Sequence, residues 1–213
     1  MAAVASIPTL AKVASAVLVI LLFYVGFQFS KRLGRARSID RAGDESLGSI
    51  LRRLESAATL LGGSLVEGPA LQTSTGRLTL LATRAPQEPA IDVAKFTVAL
   101  ASPFALTVIP LADAAKALQT RTLRGVELGD PAIAASYKVL ASDADFGRRI
   151  ATPELIARLQ ALDVSVQARA RLQVAPHGAT VLVERGLERP EELKAFHDGS
   201  VSVIEEFRKL AGG

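Results

Sequence analysis

Two histidines, a scatter of aspartates and one arginine pair are the groups in this sequence that carry reactive or ligand-binding potential. His177 and His197 are its only imidazoles, and it has no cysteine. A zinc site or a histidine-dependent relay needs convergent partners, yet there is no H-E-x-x-H string and no second ligand at helical spacing from His197. His177 lies in the turn Pro176-His177-Gly178 and His197 stands beside Asp198, so both are expected to face solvent. Asp143 and Asp145, in Ser-Asp-Ala-Asp-Phe, have the close spacing that hard cations use. A calcium loop also needs further oxygen ligands and a closing glutamate, which this stretch lacks. Helix capping by Asp143, with Asp145 favouring the positive end of the same helix, accounts for both. No G-x-S-x-G, Walker A or G-x-G-x-x-G string occurs. The sequence therefore implies no catalytic residue, cofactor or metal. An enzymatic alternative is a site of scattered carboxylates such as Asp130, Asp143 or Asp163.

Arg169 and Arg171 alternate with Gln167 and Gln173. On a strand this spacing sends all four to one wet face, and paired guanidinium groups suit carboxylates and phosphates. A solvated sheet face needs charge in any case. Arg169 and Arg171 are thus the candidate face for an anionic ligand or a protein partner.

The elements that must position these groups follow from hydrophobic period. Asp44 caps a helix carrying Leu47, Ile50, Leu51, Leu54, Ala57, Ala58 and Leu61 at helical spacing, closed by Gly62-Gly63. Alternation then predicts strands at 78–83, 93–101 and 104–111, a short Ala-rich helix at 112–119 and irregular chain at 120–131. A strand at 136–141, a helix capped by Asp143 and a helix from Pro153 to Leu162, capped by Thr152, come next. The regular alternation from Val164 to Val174 predicts a long strand, paired with residues 179–184 through the Pro176 turn. Pro190 opens a last helix with Glu191 and Glu192 in its first turn, and Gly199 is a candidate kink. Runs of antiparallel strands flanked by helices predict an α+β domain, an antiparallel sheet packed with amphipathic helices, over residues 44–213.

Ahead of that domain lies Val13–Phe29, about 17 residues with no charge. With the residues before it, across the single Lys12, it reaches the roughly 20 needed to span a hydrocarbon core. Residues 1–30 are accordingly expected to be a tail and transmembrane helix, contacting the bilayer through residues 10–29. The segment leads straight into Lys31-Arg32, with no small-residue cleavage site, which favours a retained anchor over a cleaved signal peptide. Residues 31–43 read as a basic juxtamembrane linker. Lys31, Arg32, Arg35, Arg37 and Arg41 are expected to rest on anionic lipid headgroups and to keep the C-terminal domain cytoplasmic. Of the 25 basic residues, six fall within residues 1–43 against one acidic residue, leaving 19 against 20 for the rest. The domain is close to neutral, and nucleic acid is not an expected partner.

Gly129-Asp130-Pro131, Tyr137-Lys138-Val139, Ser142-Asp143, Phe146-Gly147-Arg148-Arg149 and Thr152-Pro153-Glu154-Leu155 together resemble a segment of bacterial single-pass membrane proteins of unknown function. The resemblance covers residues 125–210 and departs from the pattern at Ile133 and Tyr137, where phenylalanines are typical. It implies membrane anchoring and α+β architecture, and transfers no catalytic residue. The combined expectation is a membrane-anchored, non-enzymatic binding or scaffolding domain.

Overall fold

In a computed structural model of the chain, which describes residues 47–83, 91–114 and 123–212, the core is built from one row of side chains crossing a sheet. Leu78, Phe96, Val181, Leu172, Val108 and Val139 are cross-strand partners in succession. All six are buried. Because strand side chains alternate between faces, this register sends every second residue of each strand to the same side.

The sheet has nine strands in the order β1-β2-β3-β4-β9-β8-β5-β7-β6, each pair antiparallel. In chain order they are β1 Ser64–Val66, β2 Ala70–Gln72, β3 Arg77–Thr83, β4 Ile91–Ala99, β5 Leu106–Pro110, β6 Arg124–Gly125, β7 Tyr137–Ala141, β8 Ala170–Ala175 and β9 Gly178–Val183. Among the described residues, the α-helices packed with them are α1 at residues 47–61, α2 Pro131–Ser136, α3 Ala144–Ile150, α4 Pro153–Val166 and α5 Pro190–Gly212. Their apolar stripes, among them Ile50 and Leu54 of α1, Leu155 and Leu159 of α4 and Phe196 and Phe207 of α5, join the inner sheet face in one cluster. The other face carries Lys95, Thr97, Gln173 and Thr180, with Thr97 and Thr180 hydroxyls 3.2 Å apart. The α+β class expected from the sequence is therefore present.

Local chemistry sets the helix starts. Asp130 accepts from the Ala132 and Ile133 N–H groups at α2, Asp143 from Phe146 at α3, and Thr152 from Leu155 at α4. At α5 Pro190 takes the first position, and Glu192 folds back to accept from the Glu188 and Arg189 N–H groups. Arg189 bonding and the two N–H groups outweigh desolvation and hold the Glu192 carboxyl below its ordinary range.

Several expectations change. The alternation from Val164 to Val174 is not one strand. Residues 164–166 complete α4, Gln167 caps it in the left-handed region at φ 51°, and β8 begins at Ala170. Val164 and Val166 are two apart, which a strand places on one face, yet Val164 is 79% exposed and Val166 is buried. Residues 131–136, which span the gap between the irregular stretch expected at 120–131 and the strand expected at 136–141, form α2 because Asp130 and Pro131 supply its cap and first position. Two short strands, β1 and β2, precede the first predicted one. Gly199 lies within a continuous α5, where a Cβ would come 2.7 Å from Leu162 Cδ1, so its role is close helix packing.

The predicted transmembrane helix, the basic linker with Lys31, Arg32, Arg35, Arg37 and Arg41, and most of the Ala-rich helix at 112–119 lie outside the described residues. Among the described residues no helix is long and apolar enough to cross a membrane.

Gly76 tests the tightness of this packing. A Cβ there would lie 2.7 Å from both Phe96 Cζ and the Thr97 carbonyl oxygen. Gly76→Ala is expected to destabilise the domain by about 1–3 kcal/mol through overpacking, read as a lower urea midpoint with an unchanged slope.

Candidate binding cleft

The end of α4 brings together a group of polar side chains that sequence spacing does not connect. Asp163, one turn before the helix end, directs its carboxylate at two donors. Oδ2 accepts from the Tyr137 hydroxyl at 2.8 Å, and Oδ1 accepts from the Ala170 backbone N–H at 2.6 Å. Tyr137 opens β7 and Ala170 opens β8, strands that both pair with β5. One carboxylate thus fixes where the helix stops and where two strands begin.

Over this brace lies an open cleft of about 430 Å³, lined by Ser136, Tyr137, Gln160, Gln167 and Arg169 as well as Asp163. Burial raises the Asp163 carboxyl above its ordinary range, against the opposing pull of the Ala170 N–H, the Tyr137 hydroxyl and the Arg169 charge. The Tyr137 hydroxyl is pushed upward as well, by burial first and then by its bond to Asp163. It therefore remains a protonated donor at physiological pH. The cleft thus holds one carboxylate with both oxygens hydrogen-bonded, the amide and hydroxyl dipoles around it, and one cation, Arg169.

The two arginines of the candidate face have separate fates. Arg171 sits on β8 with its side chain 15% exposed, 2.8 Å from Glu184 and 3.2 Å from Asp113. It is an internal tie. Arg169 lies in the connection before β8, is exposed, and makes no ion pair among the described residues. The premise that both project from one strand fails because the helix continues to Val166.

The remaining sequence candidates are placed as follows. Asp130 and Asp143 are engaged as helix caps. Asp145 pairs with Arg148 on the surface of α3. His177 is exposed in the β8–β9 turn, as expected. His197 is not solvent-facing: it is only 8% exposed, edge-on to Phe96 with ring centroids 5.0 Å apart. Its Nε2 lies 2.9 Å from Thr75 Oγ1 and 3.3 Å from Thr73 Oγ1, and its Nδ1 lies 2.9 Å from Asp198 Oδ1. Among the described residues no cluster of three or more His, Asp or Glu side chains is placed to hold a metal. Tyr137, Gln160, Thr73 and Thr75 carry no signal of a site in the sequence. Tyr137 stands inside a predicted strand with nothing to mark its partner, and the threonines lie more than 120 positions from His197.

No protein-family model matches the chain, and no curated protein matches it in sequence. Among solved structures it is similar to the crystal structure of the mycobacterial trehalose monomycolate transport factor A. That match has 11% sequence identity and a TM-score of 0.48, and covers 76% of this chain and 94% of the other.

The brace makes two predictions. Tyr137→Phe removes a donor from a half-buried carboxylate and is expected to cost about 1–3 kcal/mol in chemical denaturation. The second concerns pH. A carboxyl raised by folding contributes stability that is full below its unfolded value, about 3.9, and is lost as pH climbs through the folded value. Asp163→Asn has no proton to exchange, so its stability relative to wild type is expected to rise as pH increases across that window. A difference that shrinks or stays flat would contradict a carboxyl raised by burial.

Proposed function

We propose that the chain is a membrane-tethered binding domain whose cleft at the end of α4 receives an anionic group of a protein partner. The observation that carries this reading is the exposed Arg169 guanidinium, without an ion pair among the described residues, above a wall of hydrogen-bonding groups. Arg169 can meet a carboxylate through two parallel N–H donors. Gln160 and Gln167 add neutral donors and acceptors beside it, and exposed Val164 supplies an apolar rim.

Binding suits this cleft better than turnover. Its one carboxylate has both oxygens engaged and its one phenol is held protonated, so neither is free to shuttle a proton. Two of the three carboxylates of the enzymatic alternative, Asp130 and Asp143, are occupied as caps on their own helices.

The tether rests on the sequence. The uncharged segment 13–29 supplies the span, and Lys31, Arg32, Arg35, Arg37 and Arg41 supply contact with anionic headgroups and a cytoplasmic bias. The resemblance of residues 125–210 to single-pass membrane proteins points the same way. On this reading the domain meets its partner at the cytoplasmic surface of the membrane, without nucleic acid or cofactor.

A photo-crosslinking residue in place of Gln167, in the full chain in native membranes, tests the cleft. A discrete adduct is expected, and Arg169→Glu should abolish it in a chain that still unfolds cooperatively. Arg171→Glu is a poor substitute because it breaks two internal ion pairs. An adduct pattern unchanged by Arg169→Glu, or no adduct, overturns the assignment of the cleft.

A further inference from the structure

We propose that Thr75 is an activated nucleophile, with His197 as its base, in a second site that acts on esters of short-chain carboxylic acids. This goes beyond the binding role of the α4 cleft and stands on different residues.

The geometry is a hydroxyl, an imidazole and a carboxylate in line. His197 Nδ1 faces Asp198 Oδ1 at 2.9 Å, so in the neutral ring this contact selects the tautomer with its proton on Nδ1, donated to the carboxylate. Nε2 is left as an acceptor, 2.9 Å from Thr75 Oγ1. Two threonine hydroxyls approach that nitrogen, and they are not equivalent. Thr73 donates to the Gly76 carbonyl at 2.9 Å and accepts from the Gly76 N–H at 3.2 Å, with Nε2 farther away at 3.3 Å. Thr75 Oγ1 also lies 3.1 Å from Thr73 Oγ1, and its shorter approach, 2.9 Å to Nε2, makes Thr75 the donor to the ring in this proposal. Asp198 persists as the anion: burial works to raise its carboxyl, but its bonds to Lys194 and His197 leave it below the ordinary range. Nucleophile, base and orienting group are thereby all within hydrogen-bond reach, the arrangement that activates a neutral hydroxyl.

The surroundings supply a place for a substrate. Thr75 is exposed on the β2–β3 turn and lines a 220 Å³ pocket floored by Phe96, Val98, Val201 and Ile204. That space equals the share of roughly seven waters at about 30 Å³ each, room for a short acyl chain. Ser74 and Arg208 on its wall are the donors available to an oxyanion. The turn is held by the bonds between Thr73 and the Gly76 backbone, which fix Thr75 relative to the ring.

In the first step Thr75 Oγ bonds to the ester carbonyl carbon and its proton passes to His197 Nε2. Collapse of the tetrahedral adduct breaks the bond to the alcohol oxygen, which leaves with that proton. Water, deprotonated by Nε2, then attacks the acyl-threonine, releasing the carboxylic acid and restoring the hydroxyl. Asp198 is a positioning residue, holding the ring in the tautomer that leaves Nε2 free.

The test uses the full chain in detergent micelles with a fluorophosphonate probe, which phosphonylates an activated hydroxyl with loss of fluoride. Peptide mass mapping is expected to find the label on Thr75, kept in Thr75→Ser and absent in Thr75→Val. His197→Gln still offers a hydrogen bond to the turn but no base, and should slow labelling about 100-fold or more. Asp198→Asn alters an exposed side chain and is expected to slow it at least about tenfold with the denaturation midpoint unchanged. An unlabelled Thr75 in folded wild type overturns the proposal. So does labelling at an equal rate in the folded Asp198→Asn and His197→Gln variants, which would reduce the imidazole to a tie between α5 and the turn.

Discussion

The Asp163 carboxylate is the joint on which the central part of this structure depends. It ends α4, receives the hydroxyl at the start of β7 and receives the backbone N–H at the start of β8. That joint adds to the main-chain bonds from the Gln167 and Ala168 N–H groups to the Val164 and Asp163 carbonyls in setting where β8 begins, and β8 lies between β9 and β5 near the middle of the sheet. A shift of one residue there would turn Ala170, Leu172 and Val174 outward and bring Arg171 and Gln173 into the core. Even half-buried, a carboxylate is a costly group, and its two hydrogen bonds offset part of that cost while placing a polar patch at one corner of the fold.

Polarity elsewhere follows from the uneven covering of the two sheet faces. Helices cover one sheet face with a continuous apolar cluster, while the opposite face carries threonine, glutamine, lysine and the Arg171 ion pairs beside a smaller buried cluster of Ile109, Ala114 and Leu140. Reactive groups collect where the two-layer packing stops. The α4 corner gathers Tyr137, Asp163 and Arg169, and the β2–β3 turn gathers Thr75 against His197 on α5. In both places a helix side chain meets a loop or strand end, which leaves polar atoms buried yet close to solvent.

Much of the fold is legible in the sequence because local period and tertiary burial agree. Leu78 and Leu80, Phe96 and Val98, and Val181 and Val183 alternate as a half-buried strand must, and Leu193, Phe196, Val203 and Phe207 keep helical spacing. Misreading sets in where two periods coincide. Val164 and Val166 extend the alternation of β8 backwards, and nothing local marks Gln167 as the left-handed cap, a role that glycine or asparagine usually announces. The sites are less legible than the fold because their parts are distant in the chain. Asp113 and Glu184 neutralise Arg171 from two other elements. Thr73 and Thr75 bury His197 from the far end of the domain, so a reading limited to neighbours of His197 misplaces it in solvent.

On the proposed reading, the compartment that the cleft faces is set by segment 13–29 and the five basic residues after it. The decisive measurement is the location of the C-terminus in the full chain, using paired reporters at residue 213, one active only in the cytoplasm and one only outside it. A membrane-tethered cytoplasmic domain predicts a chain retained in the membrane fraction with the cytoplasmic reporter active. Activity of the external reporter alone, or release of the intact chain from membranes, would contradict it.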